Sequence, residues 1–307
     1  MTAVITIKNI YGVREIITNI LSFTFYKEVY TPYTRITAVF EAGDIAPSVT
    51  SEVCLYIDGK AIHHGYADVY RVTTENGIKK GYVTSRGFTS LLLQNQLEPG
   101  LYKNISIDSL MNNYVNIPYV IHEMNSDSSY IYVKSGSSMW DGIVNIAYKL
   151  YGRYPYIRNE NRVMINRDAA VQTFMYENKE LLSKGSELDT RTIASYWSME
   201  DINGNYGGFT FTEPEAKERN IIRERYFDLD RRFLNDLQTA VEYRDKIAMR
   251  GWKKKFLTYS GYRGEDLFDY AVTDETKNDI TSIKITGSEK GVITEIGMYS
   301  DKFVPMH

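Results

Sequence analysis

Two dipeptides constrain this chain more than any other feature. Asp58-Gly59 stands between Val53-Cys54-Leu55-Tyr56-Ile57 and Lys60-Ala61-Ile62, and Asn76-Gly77 between the run Tyr66 to Thr73 and the run Ile78 to Thr84. A two-residue hairpin turn that matches the twist of its strands needs positive φ at its central residues, which Asp, Asn and Gly tolerate. The β-branched and aromatic runs on either side supply strands for such turns to join. Ala3 to Ile7, Leu21 to Lys27, Ile36 to Phe40 and Lys60 to His64 add strands at the spacing of a barrel or sandwich. Arg86-Gly87-Phe88-Thr89-Ser90-Leu91-Leu92-Leu93 reads as a short closing helix, and Pro99-Gly100 breaks the chain.

From about residue 103 the pattern turns to mixed α and β. Ser106 can cap a helix through Tyr114, which Pro118 keeps from extending. Ser138 and Asp141 have capping-box spacing, and Trp140, Ile143, Ala147 and Leu150 recur at helical period before Gly152. Strands are expected at Tyr130 to Lys134, Arg162 to Asn166 and Thr192 to Met199, the last followed by a Gly- and Asn-rich loop over Ile202 to Gly208 and by Phe209-Thr210-Phe211. Phe233, Leu237, Ala240, Val241 and Ala248 mark the longest amphipathic helix, about 230–250, which Gly251 is placed to end. Two strand pairs close the chain: Lys254 to Tyr259 with the stretch around Tyr270, and Ile280 to Thr286 with Val292 to Tyr299. The expected fold is mainly β with an α+β insert. It comprises a small antiparallel β-barrel over 1–101, an α+β domain over 102–172, and a second, similar β-barrel region over 173–307 that carries the long helix.

Composition narrows the function. The chain holds 36 basic and 39 acidic residues, a formal charge of −3. Binding nucleic acid by counterion release needs clustered Lys and Arg, so such a partner is disfavoured. Cys54 is the only cysteine, which excludes an intrachain disulfide and a thiolate metal cluster built by this chain alone. No stretch reaches the length of a membrane span, and the N-terminus lacks a signal-peptide pattern, so folding in the cytoplasm is expected. The 26 Tyr, against 12 Phe and 3 Trp, suit strands and wet subunit interfaces, since the ring buries area while the hydroxyl stays solvated.

The residues that usually carry chemistry do not converge. His63 and His64 are adjacent in an expected strand and point to opposite faces, and neither has a metal-ligand spacing with His122 or His307. Glu213, Glu215 and Glu218 beside Lys217, Arg219, Arg223 and Arg225 read as a solvated surface with local ion pairs, and Asp228 and Asp230 add no cleft signal. Cys54 lies mid-strand in a buried apolar role, and neither a G-x-S-x-G elbow nor a phosphate loop occurs. The basic run Arg250, Lys253, Lys254 and Lys255 beside Trp252 reads as positive charge complementing a helix C-terminus. No catalytic residue, cofactor or metal is expected.

Order of features carries one resemblance. Leu55-Tyr56-Ile57-Asp58-Gly59-Lys60, then His64-Gly65-Tyr66, then Val83-Thr84-Ser85-Arg86-Gly87-Phe88-Thr89-Ser90-Leu91 resembles the first domain of phage tail baseplate hub proteins. That group includes the late-control, protein D-like hubs of contractile tails and those of phage-derived bacteriocins. The motif positions are Asp58, Gly59, Gly65, Tyr66, Arg86 and Gly87. Gln96 to Tyr102, Ile107 to Leu110 and Ile117-Pro118-Tyr119 resemble the hub forms of Gram-positive phages, and Phe256 to Gly261 resembles the opening of a second barrel. Arg263-Gly264-Glu265-Asp266 stands where many relatives carry a Pro-Gly-Asp turn, here without the Pro.

The resemblance implies two barrels with an α+β unit between them and a homotrimeric ring of pseudo-sixfold symmetry joining the tail tube to the central spike. Its implied partners are the tube, spike and other baseplate proteins, with assembly in the bacterial cytoplasm and residence in the virion or tail-like particle. The alternative is a carbohydrate-binding or peptidoglycan-hydrolysing tail-associated β protein. A nucleic-acid channel protein is a third reading.

Overall fold

Alternating burial shapes the first seven strands of the computed structural model, which describes residues 2–167, 170–273 and 276–304; His307 lies outside them. These strands are β1 (Ala3–Asn9), β2 (Arg14–Ile17), β3 (Ile20–Glu28), β4 (Arg35–Glu41), β5 (Thr50–Ile57), β6 (Lys60–Glu75) and β7 (Ile78–Gly87). Both tight turns form with positive φ at each central residue: 48° at Asp58, 81° at Gly59, 52° at Asn76 and 80° at Gly77. Lys60 to His64 and Tyr66 to Thr73 are one strand, not two. Gly65 stays in the ladder opposite Val53 and Gly87, and the irregularity is a bulge between Ala67 and Val69. The closing helix also starts later than expected, because the Gly87 N–H still donates to the Thr34 carbonyl at 2.8 Å. A 3₁₀ turn over Phe88–Ser90 then leads into α1 (Leu91–Gln94).

The middle segment is the expected α+β arrangement: β8 (Gly100–Ser106), α2 (Ile107–Tyr114), β9 (Ile121–His122), β10 (Ser128–Val133), α3 (Met139–Tyr151), β11 (Tyr156–Arg158) and β12 (Arg162–Met164). Both helices begin in reciprocal capping boxes. Ser106 Oγ accepts from Ser109 N at 3.0 Å, and Ser138 Oγ accepts from Asp141 N at 3.1 Å while Asp141 Oδ2 accepts from Ser138 N at 2.9 Å. Gly152, at φ 65°, ends α3 in a left-handed turn.

The last part comprises β13 (Thr173–Met175), β14 (Leu181–Leu188), β15 (Tyr196–Met199), β16 (Phe209–Thr212), α4 (Pro214–Glu218), β17 (Glu224–Phe227), α5 (Leu237–Ala248), β18 (Lys253–Ser260), β19 (Tyr270–Val272), β20 (Lys277–Asp279), β21 (Ser282–Ser288) and β22 (Gly291–Tyr299). The helix expected over 230–250 is shorter. Asp230 instead caps a 3₁₀ turn at Arg231–Phe233, and Asp236 provides the cap of α5. At 12 residues α5 is one shorter than α3, the longest helix among the described residues. Lys254 to Tyr259 does not pair with the Tyr270 stretch: β18 lies between β14 and β22, whereas β19 pairs with β13 and β20. The second expected pair forms as the β21–β22 hairpin.

One curled antiparallel sheet of eleven strands, in the order β14-β18-β22-β21-β3-β4-β7-β6-β5-β1-β2, unites the two ends of the chain. Its link is β21 against β3, with Ile285 opposite Phe25. The core under this sheet therefore mixes Ile5, Phe25 and Leu55 with Leu257, Ile283 and Ile296. A second core packs α2 and α3 with Trp197, Phe233 and Val241. The cores cut across the sequence boundaries at 101 and 172, because Phe88, Leu92 and the β15–α5 stretch join the core of α2 and α3, while β18, β21 and β22 join the core of the first strands. Long-range ladder pairing and helix packing set this division, and neither is visible as a local signal.

Candidate functional site

Four of the six motif positions meet where the sheet passes into the α+β part. Gly65 and Gly87 are cross-strand neighbours, and a Cβ on Gly65 would lie 1.9 Å from the Arg86 carbonyl oxygen. That approach brings β6 against the end of β7. Beside it, Arg86 makes a bidentate pair with Asp68 at 2.9 and 2.7 Å, and its guanidinium lies 5.6 Å from the centre of the Tyr66 ring. Ser90 donates to the Tyr66 hydroxyl at 3.2 Å, tying the strand to the 3₁₀ turn. Asp58 and Gly59 are not part of this cluster. They form the β5–β6 turn, where Asp58 Oδ1 accepts from Thr2 N at 2.7 Å.

Sequence reasoning missed Asn161, which locks this junction. Its amide donates to the His64 carbonyl at 2.9 Å and its oxygen accepts from Thr89 N at 3.2 Å. His63 is fully buried, with Nδ1 2.8 Å from Thr34 Oγ1 and Nε2 2.8 Å from Ser85 Oγ. The Ser85 hydroxyl gives its proton to the Tyr66 carbonyl at 2.7 Å, so Nε2 must carry the ring proton and Nδ1 must accept from Thr34. Burial pushes His63 down to about 3, with His64 adding to the effect. His64 points to the other face and meets Glu52 at 3.0 Å.

A second cluster lies at the seam between the cores, built by the loop between β18 and β19. Glu265 accepts from Tyr176 at 2.6 Å, from Tyr259 and from Arg263 N at 3.0 Å. Asp266 accepts from Lys27 on β3 and from Asn159 N at 2.6 Å, while Asp269 pairs with Arg158 on β11 at 2.8 Å. Burial holds the Lys27 ammonium below its ordinary value despite Asp266, and raises both tyrosines above theirs. Arg263-Gly264-Glu265-Asp266 is thus an ionic joint between sheet and insert. The acid-rich loop was legible, but its cations come from residues more than a hundred positions away.

The acidic residues near Pro214 divide. Glu215 pairs with Lys253 and Arg219, as a surface group would. Glu213 is buried instead, and so is Asp230, which pairs with Arg232 and Arg244. The ammonium of Lys302 lies between Glu213 and Asp245, and Trp197 Nε1 donates to Asp245 at 3.2 Å. Burial pushes Asp245 up to about 6, opposed by Lys302 and reinforced by Glu213. The adjoining Asp301 accepts from Tyr30 at 2.7 Å and from Gly251 N at 2.7 Å, so residues 301–304 strap the sheet to the second core.

Other candidates do not assemble. Cys54 is half-buried in a cleft of about 350 Å³ with Lys8, Arg14, Glu52, His64 and Tyr119, and burial raises its thiol. His122 pairs with Asp108 at 3.1 Å, away from the other histidines' partners. Arg250 donates to the Ile247 carbonyl at the end of α5, whereas Lys253 and Lys254 lie on β18 with Glu215 and Glu295. Among the described residues no group of three or more His, Cys, Asp or Glu is placed to hold a metal. No described helix is long and apolar enough to cross a membrane.

No family model matches the sequence, nor does any curated protein. Solved structures do match. The 43 kDa tail protein of prophage MuSo2 from Shewanella oneidensis superposes with a TM-score of 0.72 at 13% identity, over 96% of this chain and 98% of that one. The chain has a phage tail baseplate-like fold. A tail protein from Neisseria meningitidis gives 0.70 at 14% identity, over 99% and 98%. A type VI secretion component from E. coli, itself described as similar to the T4 tail proteins gp27 and gp5, gives 0.54 at 8% identity over 94% and 76%. In this baseplate-like fold Asn161 and the Asp266–Asp269 joint tie the sheet to the insert, and residues 301–304 tie it to the second core.

Proposed function

We propose that this chain is a structural hub subunit of a contractile phage tail or phage-tail-like bacteriocin. In this reading three copies form a ring that joins the tail tube to the central spike, each supplying two docking units from the two ends of its sequence, and the ring resides in the baseplate of the virion or particle. The observation that carries it is a fold shared with tail proteins over nearly the whole length of both chains. Symmetry gives the reason for a trimer: three chains match a sixfold tube only if each presents two similar units.

The reading includes no catalysis. One buried carboxylate pair, Glu213 with Asp245, is bridged by the Lys302 ammonium, which occupies the space a scissile bond would need. Tyr206 and Tyr196 meet Tyr226 at interplanar angles of 80° and 61°, so these tyrosines do not form a flat sugar platform. Negative-stain images of the purified chain should show threefold rings. Release of muropeptides from peptidoglycan by the same preparation would contradict the proposal.

A further inference from the structure

We propose that the cleft between the outer face of β1, β5 and β6 and the insert binds a protein carboxylate, received by the Arg14 guanidinium. The inference concerns the single chain and stands apart from the ring reading. Sheet register builds the floor. Arg14, Lys8 and Glu52 stand side by side across β2, β1 and β5, and Thr6, Cys54 and His64 form the next row across β1, β5 and β6. Ile7, Val53 and Leu55, which alternate with them, are buried, so both rows face outward. Tyr119 and the stretch Asn159 to Arg162 of the insert complete a cleft of about 350 Å³, at the small end of the roughly 300–1,000 Å³ of ligand sites.

Charge selects the ligand. Lys8, Arg14 and Arg162 line the cleft against Glu52 and Glu160, three basic groups to two acidic, an excess of one cation. Glu52 is already engaged: Lys8 donates to it at 2.7 Å and Tyr119 at 3.3 Å, and His64 Nε2 lies 3.0 Å away. Lys8 is thereby committed. The Arg14 guanidinium makes no hydrogen bond or ion pair among the described residues, and its cross-strand neighbour Lys8 carries the same charge, an arrangement that costs stability until an anion joins it. A guanidinium fork takes a carboxylate through two parallel hydrogen bonds. One excess cation between two carboxylates suits a single negative charge and disfavours a phosphate dianion. Glu160, on the insert side, offers an acceptor for the backbone N–H groups that accompany a carboxylate in a protein and that a free small acid lacks.

Backbone strain marks the same place. Tyr119 is the third residue of a turn closed by Val120 N on the Ile117 carbonyl at 3.4 Å, and its φ is 64°, a left-handed conformation that favours glycine and that a bulky side chain rarely adopts. Its ring is held over the cleft floor, with its centre 4.4 Å from that of His64 and 4.9 Å from that of Phe88, yet the residue stays 50% exposed. Strain of this kind collects at ligand sites, where a side chain must stand in one place whatever the turn prefers.

Cys54, the only thiol of the chain, lines the cleft and reports on it. The test is the rate at which N-ethylmaleimide alkylates Cys54 in the purified chain. The acetylated tripeptide Ala-Gly-Gly with a free C-terminal carboxylate should slow alkylation about threefold or more at about 50 mM, whereas the same peptide amidated should not. Acetyl-Gly-Asp-Gly-amide separates the sources: protection by it assigns the site to an acidic side chain, and protection by the first peptide alone assigns it to a chain terminus. Arg14→Gln should abolish the protection and Arg14→Lys should keep part of it; Arg14 is exposed, so both variants should fold. The inference is overturned if neither carboxylate peptide protects, if the amidated tripeptide protects equally, or if Arg14→Gln leaves the protection unchanged. Sodium acetate protecting as well as the peptides would overturn the protein ligand, and inorganic phosphate protecting better would overturn the carboxylate. A chain that forms threefold rings without this protection defeats the site and leaves the ring reading intact, and protection in a chain that forms no ring does the reverse.

Discussion

Gly65 and Gly87 face each other across the β6–β7 ladder, and neither leaves room for a side chain. A methyl at Gly65 would press on the Arg86 backbone at 1.9 Å, whereas one at Gly87 would meet the Thr34 hydroxyl at 2.9 Å and the Asn161 oxygen at 3.1 Å. Backbone cannot yield as a hydroxyl can. Gly65→Ala should therefore cost more than Gly87→Ala, reaching or exceeding the roughly 1–3 kcal/mol of an overpacked core. Urea denaturation of the two variants measures the order, and equal costs would contradict the close-approach role.

His63 makes stability depend on pH with a definite sign. Its folded value is near 3 and its ordinary value is 6.5, so the unfolded chain binds the proton first. The contribution is fully present above 6.5 and is lost as pH falls toward 3, with a slope of up to about 1.4 kcal/mol per pH unit. His63→Gln should remove that slope, even if it lowers stability at neutral pH. A wild-type His63 that titrates near 6.5 by NMR would contradict its burial.

Asp245 acts in the opposite sense. Its folded value near 6 lies above its ordinary 3.8, so its contribution is present below 3.8 and is lost as pH rises through 6. Between these values it offsets His63. Asp245→Asn should therefore steepen the loss of stability on acidification between pH 6 and 4, as read from thermal melts across pH. An unchanged or flatter profile would contradict the assignment.

Lys302 neutralises two buried carboxylates at once. Lys302→Ala would leave Glu213 and Asp245 facing each other without a cation. The cost should fall at the low end of the roughly 3–5 kcal/mol of a broken buried pair, because the lysine itself remains 30% exposed. Glu213→Gln in the same chain should recover part of that loss. A Lys302→Ala protein as stable as wild type would contradict the strap.

Local chemistry made much of the fold legible. Asp58-Gly59, Asn76-Gly77 and the Ser106 and Ser138 caps form as their residues demand, since each depends only on neighbours within a few positions. Leu181 to Leu188 gave no signal because β14 is exposed on both faces, and a strand without a buried face has no alternation to read. The β3–β21 pairing and the partners of Asp266 and Asp269 depend on contacts across most of the chain, which no local pattern records. The burial of Glu213 is hidden from a local pattern for the same reason: its cation, Lys302, lies 89 residues away.

A cryo-electron reconstruction of the assembled tail tip tests the central claim most directly. The account predicts three copies of this chain around the axis at the junction of tube and spike, with the two ends of each chain presenting six similar positions to the tube. Any other copy number, or the absence of this chain from that junction, would contradict it.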